Sequence, residues 1–374
     1  MTTVRDITAV LEDLAPLALA EDWDNVGLLV GARDWPVDGP VLLTIDLTDA
    51  VMDEAERLGA GMIVAYHPSI FGGLERLTAD EPSARNVLRA ARAGIAIYSP
   101  HTALDAAPGG MNDWLANGLG TGTISPLAAH GALPPNEAFK VISFMPESAL
   151  DAARTAMAAA GAGRIGDYET CSFELRGHGT FRGGDGTNPV VGARGALERV
   201  DEVRLEMVCG SHDLAAALAA LRGEHPYEEP PIEVHALQPR PSATTGGGRL
   251  IELDAPVTRA ALCDRVKAVL GAKHLKVGWA DGAARTIRRV GLCVGAGGSF
   301  VDAAIARGAC VFLTGEMRHH EVVSAKARGC SIVLAGHTNT ERGYLRQVLL
   351  KRLKAALPVD VRVAKKDAAP LQVV

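Results

Sequence analysis

Five side chains in this 374-residue chain have the types and spacing of a metal site: His67, His101, Asp105, His337 and Glu341. They stand on or just beyond the ends of short apolar runs of strand type. Open α/β sheets place their ligands there, outside the carboxyl ends of the strands. His101 and Asp105 are separated by four positions, as are His337 and Glu341. On a helical turn that spacing puts both groups on one face. Imidazole nitrogen with carboxylate oxygen suits Zn, Mn, Fe or Co, and bridging carboxylates can hold two such ions about 3.5–4 Å apart. Glu316, His319 or His320 is a candidate proton shuttle, since imidazole titrates near neutral pH.

Each group also has an ordinary reading on its own. His67 precedes Pro68 in a turn, and His101 could serve as a cap. His337 stands beside the N-cap candidates Thr338 and Asn339. Glu341 fits a first-turn glutamate favoured by the helix dipole. The case for a site is joint, since chance seldom gathers four or five such groups at one sheet edge. The turn Gly295-Ala-Gly-Gly-Ser299 is a weaker signal: its N–H groups could cradle an anion or simply make a tight strand–helix connection. It lacks the Walker and dinucleotide patterns, and there is no GxSxG elbow.

The elements that must position these residues follow from periodicity. Val4–Ala18 has helical spacing. Strand-like runs at 40–46, 61–65 and 94–98 alternate with helical segments at 50–58, 82–92 and 110–119. That alternation predicts a largely parallel sheet. Near Pro134-Pro135 the rhythm changes. Phe139–Phe144, Val203–Val208 and Ile232–Leu237 read as strands, with helices at 148–160 and 214–221. Gly177–Gly186 reads as a loop or hairpin turn, and Pro239–Gly248 as a linker. The first rhythm then returns, with strands at 290–294, 309–313 and 331–335 and helices at 300–307, 319–327 and 341–356. The expected organisation is one α/β domain split over residues 1–134 and 246–374, with an inserted ferredoxin-like α+β domain at 135–240.

Composition excludes several classes. Apolar residues at 48% are enough for large cores, and charged residues at 22% argue against disorder. A formal charge of -6 with no long basic run predicts no duplex nucleic-acid footprint. Six cysteines without a CxxC pair fit a reducing compartment rather than a disulfide framework. The N-terminus is acidic and amphipathic, unlike a signal peptide. No apolar run reaches the roughly 18 residues of a membrane span. A cytoplasmic protein with a small-molecule substrate or ligand is expected.

The motifs carry a resemblance. Glu21-Asp-Trp-Asp-Asn25, Tyr66-His-Pro-Ser-Ile-Phe71, Ser99-Pro-His-Thr-Ala-Leu-Asp105 with Gly110-Met-Asn112, Gly295–Ser299, Thr314-Gly-Glu316 with His320, and Gly336-His-Thr-Asn-Thr-Glu341 resemble the Nif-three-like family. Its bacterial members often carry the name GTP cyclohydrolase 1 type 2 homolog. The middle segment, with His225-Pro-Tyr-Glu-Glu229, resembles the PII/CutA-like domain of longer members. The resemblance implies two metal ions, one on His67 and Asp105 and one on His337, with Glu341 bridging and His101 at the site. It also implies a homohexamer with the sites facing its interior. One departure stands out: Tyr66 replaces the first of two adjacent histidines found in many bacterial members, so the second ion loses a ligand. Two functions follow, a metal-dependent hydrolase on a nucleotide-like or phosphate-containing substrate, or a non-catalytic metal-binding, ligand-sensing hexamer.

Overall fold

The computed structural model describes residues 1–73 and 76–371. It forms two compact units, Met1–His130 with Ser242–Val374, and Gly131–Pro241. In chain order the first stretch contains α1 (Val4–Leu14), β1 (Gly27–Val30), β2 (Val41–Thr44), α2 (Asp49–Leu58), β3 (Met62–Ala65), α3 (Pro82–Ala93), β4 (Ala96–Ser99), α4 (His101–Ala106), α5 (Met111–Gly118) and β5 (Gly122–Ala132). The middle stretch contains β6 (Phe139–Met145), α6 (Glu147–Ala159), β7 (Phe173–Arg182), β8 (Leu197–Cys209), α7 (Leu214–Glu224) and β9 (Ile232–Ala236). Then come β10 (Arg240–Thr258), α8 (Arg259–Leu270), β11 (Lys276–Gly278), β12 (Thr286–Cys293), α9 (Val301–Ala306), β13 (Val311–Thr314), α10 (His319–Ala327), β14 (Ser331–Leu334), α11 (Asn339–Tyr344), α12 (Leu350–Ala356) and β15 (Val361–Val363).

The first unit holds two sheets. One has the order β1-β4-β3-β2-β15, parallel except for β1. The other has the order β11-β14-β13-β12-β10-β5, with β12, β13 and β14 parallel, β10 antiparallel to β12, and β11 antiparallel to β14. Each sheet takes an edge strand from the other half of the sequence, β15 for the first and β5 for the second. Strands β2, β3, β4 and β13 are buried throughout, which explains why they read as unbroken apolar runs. Their side chains alternate between two cores. Val41, Leu43, Met62 and Val64 join Val290, Leu292, Val311 and Leu313 in one cluster. Leu42, Ile63 and Ile97 instead meet Val51, Met52 and Ala90 of α2 and α3. The mixed α/β architecture is as expected.

In the second unit, β6, β8, β7 and β9 form one antiparallel sheet of order β7-β8-β6-β9. Val141, Met145, Val203, Leu205 and Met207 pack with Leu150, Met157 and Leu221 of α6 and α7. Among the described residues no helix is long and apolar enough to cross a membrane.

Several local expectations are corrected. Gly177–Gly186 is not a loop or turn throughout; Phe173–Arg182 pairs along its whole length with β8. Nearly every residue of β7 is exposed, so it carries no apolar alternation to read. Its Gly179 is where the Glu202 carboxylate lies: a Cβ there would come within 2.0 Å of Glu202 Oε2. The stretch 239–248 is not a linker, because β10 begins at Arg240. Its glycines mark close strand approach, since a Cβ on Gly246 would lie 2.1 Å from the Ala128 carbonyl oxygen. The first helix stops at Leu14, and a 3-10 turn at Leu17–Leu19 follows Pro16, which disfavours helix at the residue before it. The last long helix is interrupted by a π turn at Leu345–Leu349.

Arg249 on β10 is 1% exposed. Its guanidinium pairs with Asp113 and donates to the carbonyls of Gly246 (2.7 Å), Gly248 (2.8 Å), Ala106 (3.1 Å) and Ala107 (3.3 Å). One buried cation thus ties β10 to the end of α4. Arg249→Met should destabilise the protein by about 3–5 kcal/mol, because it strands Asp113 and several carbonyls without a donor. Urea unfolding would measure the loss, and a change below about 1 kcal/mol would refute this role.

Candidate metal centre

Strand ends from both sheets of the first unit deliver the polar groups. Asp46, His67 and His101 follow β2, β3 and β4, while Glu316 and His337 follow β13 and β14. The turns lie so close that only glycine fits at two positions. Gly295, at φ +61°, would place a Cβ 2.7 Å from Glu341 Oε1. A Cβ on Gly315 would lie 2.6 Å from the Gly295 carbonyl oxygen and 2.7 Å from His337 Cα. Thr340 fastens the same junction: its hydroxyl accepts from Gly295 N (2.8 Å) and donates to the His337 carbonyl (2.6 Å). Asn112 accepts from Val294 N (3.0 Å) and donates to the Asp105 carbonyl (3.1 Å). His101 sits at φ +22°, a sparsely populated conformation for a side-chain-bearing residue and one that tends to occur at functional sites.

All three histidines share one arrangement. His67 Nδ1 lies 2.8 Å from Asp46 Oδ1, His101 Nδ1 lies 2.7 Å from Asp24 Oδ1, and His337 Nδ1 lies 2.9 Å from Glu316 Oε1. In the neutral ring a carboxylate on Nδ1 fixes the tautomer that presents the Nε2 lone pair, as in metal-ligating histidines. Glu341 lies between two of them, with Oε2 3.6 Å from His67 Nε2 and Oε1 3.4 Å from His337 Nε2. It is 1% exposed. The imidazole rings are close neighbours, His67 to His101 at 5.4 Å and His67 to His337 at 5.5 Å between centroids. Asp105 accepts from the Tyr66 hydroxyl at 2.7 Å.

Electrostatics reinforce the picture. Burial opposes charge on His67, yet the Asp46 hydrogen bond and the Glu341 carboxylate outweigh it and raise its pKa to about 10. Burial drives Asp105 up to about 7, against the opposing pull of His101 and the Tyr66 hydroxyl. Asp46 and Asp24 resist burial because their histidine partners hold them below the usual carboxylate range. Burial, then the Asp105 charge, pushes the Tyr66 phenol well above its ordinary value. Cys293 also lines the cavity, and burial with the nearby carboxylates keeps its thiol protonated.

His67, His101, Asp105, His337 and Glu341 all line one cavity of about 460 Å³. Among the described residues, His67, His337 and Glu341 bring ligand atoms within 4.8 Å of one another. Glu316 reaches the cluster only through His337. His320 is exposed in the first turn of α10, against His319, and does not line the cavity. The Gly295–Ser299 turn is a poorer anion cradle than expected, because the N–H groups of Gly295 and Gly297 are already bound to Thr340 and Thr314. Sequence reasoning assigned no role to Asp24, Asp46, Asn112 or Arg249. The signal available for Asp46 was its place at a strand end, and for Asp24 its place in the Glu21–Asn25 motif.

The Duf34/NIF3 (NGG1p interacting factor 3) family model matches residues 2–370. The chain belongs to the NIF3 family. A GTP cyclohydrolase 1 type 2 homolog from Halalkalibacterium halodurans is 34% identical over 354 residues, covering 94% of this chain and 92% of that protein. NIF3-like protein 1 of Rattus norvegicus is 34% identical over 380 residues, covering 99% and 93%. A Bacillus cereus protein related to NIF3 matches in structure with a TM-score of 0.67 at 33% identity, covering 100% of this chain and 99% of that one. The resemblance read from the motifs is therefore borne out.

Two predictions concern this NIF3-family cavity. Without metal, His67 stays an imidazolium until about pH 10, so an incoming cation must displace its proton. Affinity should therefore keep rising between about pH 7 and about pH 10, well above the usual imidazole range. Asp46→Asn should lower the pH at which it levels off and weaken binding about 10–100-fold. Zn titration of chelated protein at several pH values tests this; an affinity flat from about pH 7 upward would contradict it. Separately, Glu341→Ala should lose more bound metal than His319→Ala, since only Glu341 lies between two Nε2 atoms. Equal metal content in the two variants would remove Glu341 from the ligand set.

Proposed function

We propose that this NIF3-family chain is a metal-dependent hydrolase with a dinuclear centre, acting on a nucleotide-like or phosphate-containing substrate. One observation carries the reading: two imidazoles, each held at Nδ1 by a carboxylate, flank a buried glutamate whose Oε2 has no hydrogen-bond partner among the described residues, and a third imidazole, His101, is held in the same way next to His67. A buried, unpartnered carboxylate oxygen beside Nε2 atoms that present lone pairs once the His67 proton is displaced is a donor set that fits a divalent cation.

His67 and Asp105 would hold one ion and His337 the other, with Glu341 shared and His101 beside them. When bound, such a pair of ions polarises a phosphoryl or carbonyl oxygen and makes water acidic enough to attack near neutral pH. The chain's own groups do the rest. Asp46, Asp24 and Glu316 keep the three rings in the tautomer that presents Nε2. Tyr66 holds one oxygen of Asp105 and so orients its carboxylate. Glu316 is exposed, so its second carboxylate oxygen can take up a proton and release it to solvent while the first holds His337 Nδ1. Burial of Glu341 keeps water from competing for its oxygens.

The same reading takes the second unit as a ferredoxin-like, PII/CutA-like insertion, supported by its β-α-β-β-α-β order and the strand order β7-β8-β6-β9. It takes the protein as a cytoplasmic homohexamer, in keeping with six free cysteines and the family resemblance.

The test is metal analysis of the purified protein, then a turnover screen with GTP and phosphoesters after chelation and refilling with Zn, Mn or Fe. Bound metal approaching two ions per chain and metal-dependent turnover, both lost in Glu341→Ala, are expected. Fully loaded protein that turns over none of these compounds would favour the non-catalytic scaffold instead.

A further inference from the structure

The mouth of the same cavity carries two aromatic side chains that the metal centre does not use. Trp23 and Phe71 are each 59% exposed. Their ring centroids lie 5.9 Å apart, and both line the cavity together with Phe300. Large apolar rings left open to water are informative when their backbone is fixed, because entropy or disorder does not account for them. Both segments here are pinned. Asn25 Nδ2 donates to the Ile70 carbonyl at 2.6 Å, joining one segment to the other. Glu21 N donates to Thr102 Oγ1 at 3.0 Å, and Asp24 holds both His101 and Thr102. The rings therefore project from a rigid base.

Their position relative to the histidines sets a length scale. Phe71, Trp23 and His101 form a triangle, with centroids 5.9, 6.0 and 6.3 Å apart, and the line continues from His101 to His67 at 5.4 Å and from His67 to His337 at 5.5 Å. The Trp23 and Phe71 side of His101 offers π faces, and the His67 and His337 side offers metal-ligating groups. A ligand that satisfies both sides is planar and aromatic at one end and anionic at the other, with a short spacer between. A nucleotide has that form. Stacking on exposed aromatic faces is tolerant of base identity, so the rim selects a base without reading which one.

We propose that Trp23 and Phe71 form a one-sided stacking clamp, an aromatic face against which the base of a nucleotide lies with its phosphate directed at the histidine cluster. This inference rests on the reading of the centre as a phosphate-binding metal site. It deepens that reading by placing the phosphate, rather than the base, nearest His67 and His337.

The experiment is calorimetric titration of the metal-loaded full-length protein with inorganic phosphate, ribose 5-phosphate, AMP and GMP. Both nucleotides should bind about tenfold or more tightly than ribose 5-phosphate, the gain expected from one stacked base. Trp23→Ala should abolish that gain while leaving ribose 5-phosphate binding unchanged, and Trp23→Phe should keep most of it. Phe71→Ala should reduce it in part. Ribose 5-phosphate that binds as well as the nucleotides, or a Trp23→Ala variant that weakens both equally, would overturn the clamp and leave the phosphate reading intact. A Trp23→Ala variant that changes oligomeric state without changing nucleotide preference would also overturn it, as the rim would then be an interface. Absence of binding by phosphate, ribose 5-phosphate and nucleotides alike would remove the phosphate reading and the clamp with it.

Discussion

Glu341 is a carboxylate at 1% exposure that lies 3.4 and 3.6 Å from two imidazole Nε2 atoms. Burying an ionised group costs several kcal/mol unless positive charge or hydrogen bonds offset it. Without a cation, His67 supplies the charge, and its raised pKa is the sign of that service. The Nδ1 carboxylates complete the arrangement, because an imidazole freed from Asp46 or Glu316 could turn its Nε2 away. The cavity is thus a cluster of mutually dependent acids and bases whose balance changes when a divalent ion replaces a proton.

Keeping such a cluster together demands a stiff frame, and the frame comes from close backbone approach. Gly295 and Gly315 let three strand–helix turns meet at contact distance. Thr340 and Asn112 then bind these turns to α4 and α11 by hydrogen bonds. Arg249 satisfies the carbonyls at the end of α4 from behind. At the other flank, Asp367 accepts from Ile45 N at 3.1 Å and pairs with Arg342, the residue after Glu341. The exchange of edge strands β5 and β15 means that neither half of the sequence can complete its sheet without the other, so the two sets of ligands are assembled together.

Much of this was legible in the sequence. The strands delivering His67, His101 and His337 are buried on both faces, so they announce themselves as apolar runs ending in polar residues. The partners of the imidazoles were not legible, because an Asp after a strand looks the same whether it faces solvent or an imidazole from the same turn region. Asp46 is close to His67 through parallel pairing of β2 with β3, which no local pattern encodes. β7 was missed for the opposite reason: a strand exposed on both sides has no burial to write into its sequence. In β10, the Pro/Gly/Ser/Thr composition that reads as a linker reflects close passage of β5.

Tyr66 shows how one side chain shapes such a cluster. A phenol cannot replace an imidazole as a neutral lone-pair donor, and burial with the Asp105 charge drives this one further from ionisation. It acts instead as a donor, holding Asp105 Oδ1 at 2.7 Å. One oxygen of Asp105 is then committed to a hydrogen bond, while the other keeps its freedom to meet a cation. On the proposed assignment the two ions therefore see different surroundings: His67 and a tyrosine-restrained Asp105 on one side, and His337 with its exposed Glu316 on the other. That asymmetry rests on the Tyr66 hydrogen bond to Asp105. It makes the His337 side the more open of the two, and the side where exchange with solvent is easier.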